Sequence, residues 1–515
     1  MKNFLLFPLF YCFLLLRGYA AGFDIKTSSI IDQPAIEVLG DYNGSWYVIG
    51  FEKPNHPEKP ARFYILKYAA GFPIAKSSPV YQPFGEKTDY LKAAIVDKKL
   101  CIFYSRTEHL PDRPNMVDGR DGYKQIPKIL RQDYDPVTLL PAGEPVVVFD
   151  EAKEHFAASG IDIAQSEDQS KTAIVIKHYF RQSKFKVLLL DNITDAVFEH
   201  RYTLKTDKDL VNFKRIVVSN TGQVFLEARI QEDPLHPDTK DKRAHRFYFF
   251  SINKTNTDDE APMLMLPSTN PGHDALINND PLIACLNNGQ LVVAFDHYMN
   301  ERSSVLKNIS IKGYLPDFTP TASQEIIPDV KFTSKAASYQ NNRAQGLEYV
   351  EGRQIIPLDG GNFMLIAECR HSTDSKDKVT GLSTTLFERH YLLAYRLDES
   401  MTIKAADFID KHQSAHNIYS AFSAQASRLG NDVFLFYNED CAADDEHGLY
   451  LLGTKLLANG TESTTQKIVH TSEDFFVSLN HIYVSSTGRI LFTEEKIVDF
   501  DVEGRQLKLL EIKPK

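Results

Sequence analysis

The chain has 515 residues, 43% of them hydrophobic and 24% charged, which excludes wholesale disorder. Its net charge of −10 excludes the basic footprint that a nucleic-acid partner requires. The aromatics are lopsided, with 33 Phe and 24 Tyr against a single Trp (Trp46), a bias towards strands.

Taken in chain order, the first feature is a leader. Lys2 precedes the apolar run Phe4 to Leu16, and Gly18-Tyr19-Ala20 fits a small-residue cleavage site. The run is too short to span a bilayer, and Arg17 ends it. Residues 1–20 are therefore expected to be a cleaved signal peptide and 21–515 the folded protein, secreted or periplasmic. Removing Lys2 and Arg17 takes the charge from −10 to −12. No later segment is long and apolar enough to span a membrane, and the chain is expected to be monomeric.

A turn followed by a short apolar run then recurs. Clear copies are Tyr42 to Glu52, Asn220 to Arg229, Asn287 to Asp296, Asp359 to Cys369 and Ser486 to Glu495. Looser copies without the glycine are Asp97 to Arg106, Asp168 to His178 and Gly430 to Asp440. The anchors fall near 44, 98, 169, 222, 289, 361, 430 and 488. Each unit also carries an apolar stretch before the turn and one or two after it, so four short strands per unit are predicted. Residues 401–412 form the best helix candidate. Residues 22–34 are placed as an extra strand closing a ring with the last unit.

Repeated four-stranded units predict an all-β chain, a single β-propeller of seven to eight blades with eight favoured. A tandem of β-sandwiches is the alternative, but it needs linkers that are absent. Continuous apolar runs such as Phe363 to Ala367 suit strands buried on both faces. Four cysteines follow the leader: Cys101, Cys285, Cys369 and Cys441. With no CxxC pair, buried free thiols are favoured over two disulfides.

The leader and the recurrent G-x-apolar-x-apolar runs resemble the secreted bacterial β-propeller-like proteins of unknown function. The Trp-Asp, Kelch and sialidase propeller signatures are missing, so the resemblance implies a fold and no catalytic residue.

Tight turns are expected on one face of the disc and long charged loops on the other, where ligands are sought first. The predicted loops are 107–122, 231–245, 370–387 and 438–448. At their mouths the candidate ligand-binding residues are Glu52, Glu227, Arg229, Asp296, His297, Glu368, Arg370 and Glu439. For each of them, simple solvation of a strand end is the blander reading. Asp440, Asp444, Asp445 and Glu446 offer oxygen ligands of the kind calcium takes, but match no EF-hand spacing. No cofactor is otherwise expected. No linear catalytic motif occurs. Two functions follow. The first is a binding or scaffold module for a protein or glycan ligand, acting through the charged loop face. The second is a glycan hydrolase using paired carboxylates such as Asp296 and Glu368, which need no linear motif.

Overall fold

A computed structural model describes residues 23–514 apart from strand connections, the longest being 52–62, 79–87, 110–123, 232–244, 268–279 and 497–505. The chain is an eight-bladed β-propeller. Each blade is an antiparallel sheet whose strands run from the central channel outwards. Blade 3 is representative: Ala158–Gln165, Lys171–His178, Lys184–Asp191 and Val197–Thr203 pair in that order.

Burial explains the sequence pattern. The second strand of blade 6, Phe363–Cys369, is buried at every residue. In blade 3 the second and third strands are buried along most of their length, whereas the outer strand Val197–Thr203 mostly alternates with solvent. A strand covered by neighbouring blades has no wet face, so alternation appears only at the rim.

The ring closes as the sequence suggested. Phe23–Thr27 becomes the outer strand of blade 8, in register from Phe23 opposite Pro514 to Thr27 opposite Leu510. Blade 8 therefore combines the first described strand with Phe475–Val484, Ile490–Lys496 and Gln506–Pro514.

Two expectations are corrected. Residues 401–412 are not helical; Ile403–His416 is a 14-residue strand of blade 6. The partner Ser383–Leu397 forces extended backbone there, and the strand pairs with it from Leu386 to Leu397. Residues 370–387 are not a plain loop either. His371–Lys376 pairs with Ser383–Glu388, so blade 6 extends beyond the ring as a hairpin. The longer of the two described helices, Val330–Ala337, lies between blades 5 and 6 and is capped by Asp329, which accepts from the Lys331 N–H. Cys101, Cys285 and Cys369 are buried free thiols. Burial pushes each up to about 12, so they are inert at neutral pH. Cys441 lies outside the described residues.

One recurrent device escaped the sequence reading. In four blades, the turn before the outer strand places a large residue at positive φ: Phe72, Leu139, Phe318 and Met401, at 60–68°. Each is buried, and each packs on the preceding blade. Phe72 joins Leu491 and Leu509 of blade 8; Leu139 joins Tyr47 and Ile49 of blade 1. Phe318 meets Phe225 of blade 4, and Met401 crosses Gly313 of blade 5. The backbone strain costs about 1–3 kcal/mol. Burying the side chain returns roughly 1.5–3 kcal/mol, so the plug is tolerated. Blade 3 carries a charged version. Asp195 (φ 61°) binds Arg131 at 2.8 Å and Lys99 at 2.7 Å, both from blade 2.

Candidate functional site at the loop face of blade 6

The inner strands surround a channel cavity of about 770 Å³, lined by residues from all eight blades. Its lining comes mainly from the last halves of the inner strands and the tight turns that follow, such as Gln165 to Gln169, Val217 to Thr221 and Ile283 to Asn287. None of the candidate residues read from the sequence lines it. The candidates within the described residues belong to the opposite face, where second strands end.

The structure distributes them among blades. Glu227, on Val224–Gln231 of blade 4, is fully buried with Arg215 at 4.0 Å. Arg229 lies on the same strand. Glu439 is half-buried on Asp432–Asp440 of blade 7, and Asp440 ends that strand. Glu52, Asp444, Asp445 and Glu446 lie outside the described residues. No group of three or more metal-ligating side chains occurs among the described residues.

Asp296, His297, Glu368 and Arg370 sit at the loop-face ends of blades 5 and 6. Asp296 (8% exposed) and half-buried His297 lie on Leu291–Tyr298. The Asp296 carboxylate accepts the Gly352 N–H at 2.8 Å. A Cβ at position 352 would lie 2.9 Å from Leu282 and 3.3 Å from Asp296, so glycine permits this close approach. Glu368 is wholly buried. Lys411, also wholly buried, binds one of its oxygens at 2.5 Å, and Arg353 faces the other at 3.4 Å. Arg353 occupies a register shift between Gly352 and Gln354, and such bulges re-aim a side chain.

Around this core is a half-exposed rim. Arg370 binds Glu351 at 2.8 Å, and His371 contacts Glu388 at 2.9 Å. The His371 ring meets Tyr349 with centroids 4.4 Å apart. Tyr349 is 37% exposed and has φ of 56°, an outlier for an aromatic residue. Its backbone is held by two bonds: its N–H donates to Ser304 at 2.8 Å, and its carbonyl accepts from Arg370 at 2.7 Å. Behind the rim, Arg389 is 2% exposed and donates to the carbonyls of His371 and Glu388. Burial pulls the Arg389 guanidinium down to about 10, against the opposing pull of Glu368. Burial likewise lowers the Lys411 ammonium, with Glu368 opposing.

Sequence reasoning found Glu368 and Arg370 in this cluster and missed Tyr349, Glu351, Arg353, His371, Arg389 and Lys411. His371 adjoins Arg370 and was legible as part of that charged run. Lys411 was hidden because its segment was read as a helix.

No protein-family model and no curated protein matches the chain. Among solved structures, it is similar to the polysaccharide lyase Uly1, with 10% identity over 95% of this chain and 99% of that one, and a TM-score of 0.39. It is also similar to the Nup133 β-propeller domain of Vanderwaltozyma polyspora, with 10% identity over 82% and 100%, and a TM-score of 0.37. The WD40 domain of SCAP from fission yeast has 9% identity over 95% and 98%, and a TM-score of 0.36. No helix among the described residues is long and apolar enough to cross a membrane.

Proposed function

We propose that the protein is an exported binding module whose ligand, a glycan or a protein segment, seats on the loop face at blade 6. The Tyr349–His371 pair carries this reading. It is a partly exposed aromatic pair beside the blade 6 hairpin, rimmed by the Arg370–Glu351 and His371–Glu388 pairs. An aromatic contact with its rings tilted by 44° and a polar rim suits a sugar ring or a peptide side chain. The strained backbone at Tyr349 agrees with a functional position. Export rests on the leader at residues 1–20.

Hydrolysis fits less well. A general acid or nucleophile must reach the substrate. Glu368 has no exposed surface and is held between Lys411 and Arg353, while Asp296 is engaged by the Gly352 N–H.

The test is a glycan and peptide binding screen on the mature chain, repeated with Tyr349→Asn and His371→Ala. Asparagine tolerates positive φ, so the first variant keeps the backbone while removing the ring. At least one ligand of the wild type is expected to drop out with both variants. Unchanged binding in both would overturn the assignment to blade 6.

A further inference from the structure

The channel cavity lies at the tight-turn face, away from the blade 6 rim, and its chemistry differs. From that chemistry we infer that it is a second binding site, for a neutral hydroxyl-rich ligand such as a short saccharide.

The volume of about 770 Å³ falls inside the ~300–1,000 Å³ range of small-molecule sites. Three ligand classes are disfavoured by what the lining already binds. An anion needs a spare cation, but Lys92 is paired with Glu37 at 2.6 Å and Arg428 with Asp359. A strand-adding peptide needs a free ladder of backbone groups on an inner edge. On blades 1, 2 and 7 those edges are capped by glutamine side chains. Gln354 of blade 6 both donates to and accepts from Ala426 of blade 7, at 3.1 Å each. Gln169 of blade 3 donates to the Leu39 carbonyl at 3.0 Å and accepts the Ile95 N–H at 2.8 Å. Gln165 caps the Ala93 carbonyl at 3.1 Å. An apolar ligand would strand these polar groups.

What is left is a set of donors and acceptors that is uncharged apart from Glu167. Gln425 and Ser427 line the cavity and have no partner among the described residues. Asn220 uses only its oxygen, accepting the Asp168 N–H, and Asn287 only its nitrogen, donating to Leu358. Glu167 adds one exposed carboxylate acceptor. Hydroxyl groups both donate and accept, so a saccharide can satisfy such a set where an anion or a strand cannot.

Titration calorimetry of the mature chain with maltose, cellobiose and lactose, and with glucuronic acid as the charged counterpart, tests this. At least one neutral disaccharide is expected to bind, and more tightly than the acid. Gln425→Trp, which removes the Gln425 amide and narrows the cavity, should abolish this binding, whereas Tyr349→Asn should leave it unchanged. Should the tryptophan variant fail to melt cooperatively, Gln425→Ala with Ser427→Ala serves instead, with affinity expected to fall about tenfold, the loss of roughly 1.4 kcal/mol. Three results would overturn the site: no neutral disaccharide bound at ~10 mM, about the weakest affinity of interest, glucuronic acid bound more tightly, or binding that survives the cavity variants. Because Tyr349→Asn tests the blade 6 rim, the two sites stand or fall separately.

Discussion

Among the described residues, two places set a buried glutamate between two cations, and they differ in what is left over. At the seam between blades 8 and 1, Glu511 accepts the Trp46 indole N–H and an Arg489 N–H at 2.9 Å, with Lys26 at 3.6 Å. Arg489 also lies over the Trp46 ring at 4.8 Å and reaches Asp41 at 3.4 Å. The single tryptophan of the chain is thus part of the clasp that closes the ring. At blade 6, Glu368 is matched by Lys411 and Arg353, and Lys411 lies over Tyr437 of blade 7 at 5.9 Å. Here Gln413, 1% exposed, has no partner for either amide atom among the described residues. At the seam the charged members complete one another, and the unmet atom beside them is the Tyr483 hydroxyl against Trp46. Blade 6 keeps unmet hydrogen-bonding capacity behind an exposed aromatic rim, as expected where a fold is shaped by something besides stability.

The largest effect is expected at the seam. Glu511→Ala leaves Arg489 and the Trp46 N–H buried without their acceptor and should cost about 3–5 kcal/mol in urea unfolding. A loss below ~1 kcal/mol would mean that the clasp does not hold the ring, since that is what an exposed pair is worth. At blade 6, Glu368→Leu leaves Lys411 unpaired and should cost about 3 kcal/mol, whereas adding Lys411→Met should restore stability to within ~1 kcal/mol of wild type. The matching pair at the seam, Glu511→Leu with Arg489→Met, should not recover, because the Trp46 N–H still lacks an acceptor. Equal recovery in both places would erase the distinction.

Blade 3 offers a simpler ion pair as reference. Burial alone would raise the Asp191 carboxyl, but the Lys171 ammonium and the N–H groups of Thr194 and Ile193 outweigh it and hold it at about 2. A carboxyl held below its unfolded value stabilises fully above pH ~4 and loses that contribution as pH falls towards ~2. Asp191→Asn should therefore cost on the order of 2 kcal/mol at pH 6, and the difference from wild type should vanish near pH 2. A pH-independent difference would assign the loss to packing. The smallest effect is expected from Lys26→Ala at the seam's exposed margin, under ~1 kcal/mol and absent at high salt.

The blade pattern was legible because its causes are local. Gly44, Gly222, Gly289, Gly361 and Gly488 all adopt positive φ at the tight turns, which glycine accepts without cost. Where the glycine is missing at residue 169, the structure supplies the reason. Gln169 takes φ of 57°, and its amide ties blade 3 to blades 1 and 2. The site was legible only in part. Glu368 and Arg370 stood out as charges at a strand end, but their neighbours come from other strands of the blade.

The sequence by itself determined the repeat, the all-β class and the strand that closes the ring, since turn conformation and burial on both faces leave marks within a few residues. Only the tertiary structure decided which charges are engaged and which remain open to a ligand. Lys411 meets Glu368 across 43 residues, and Trp46 meets Glu511 across 465. Such pairings are set by how blades pack, and no spacing along the chain records them.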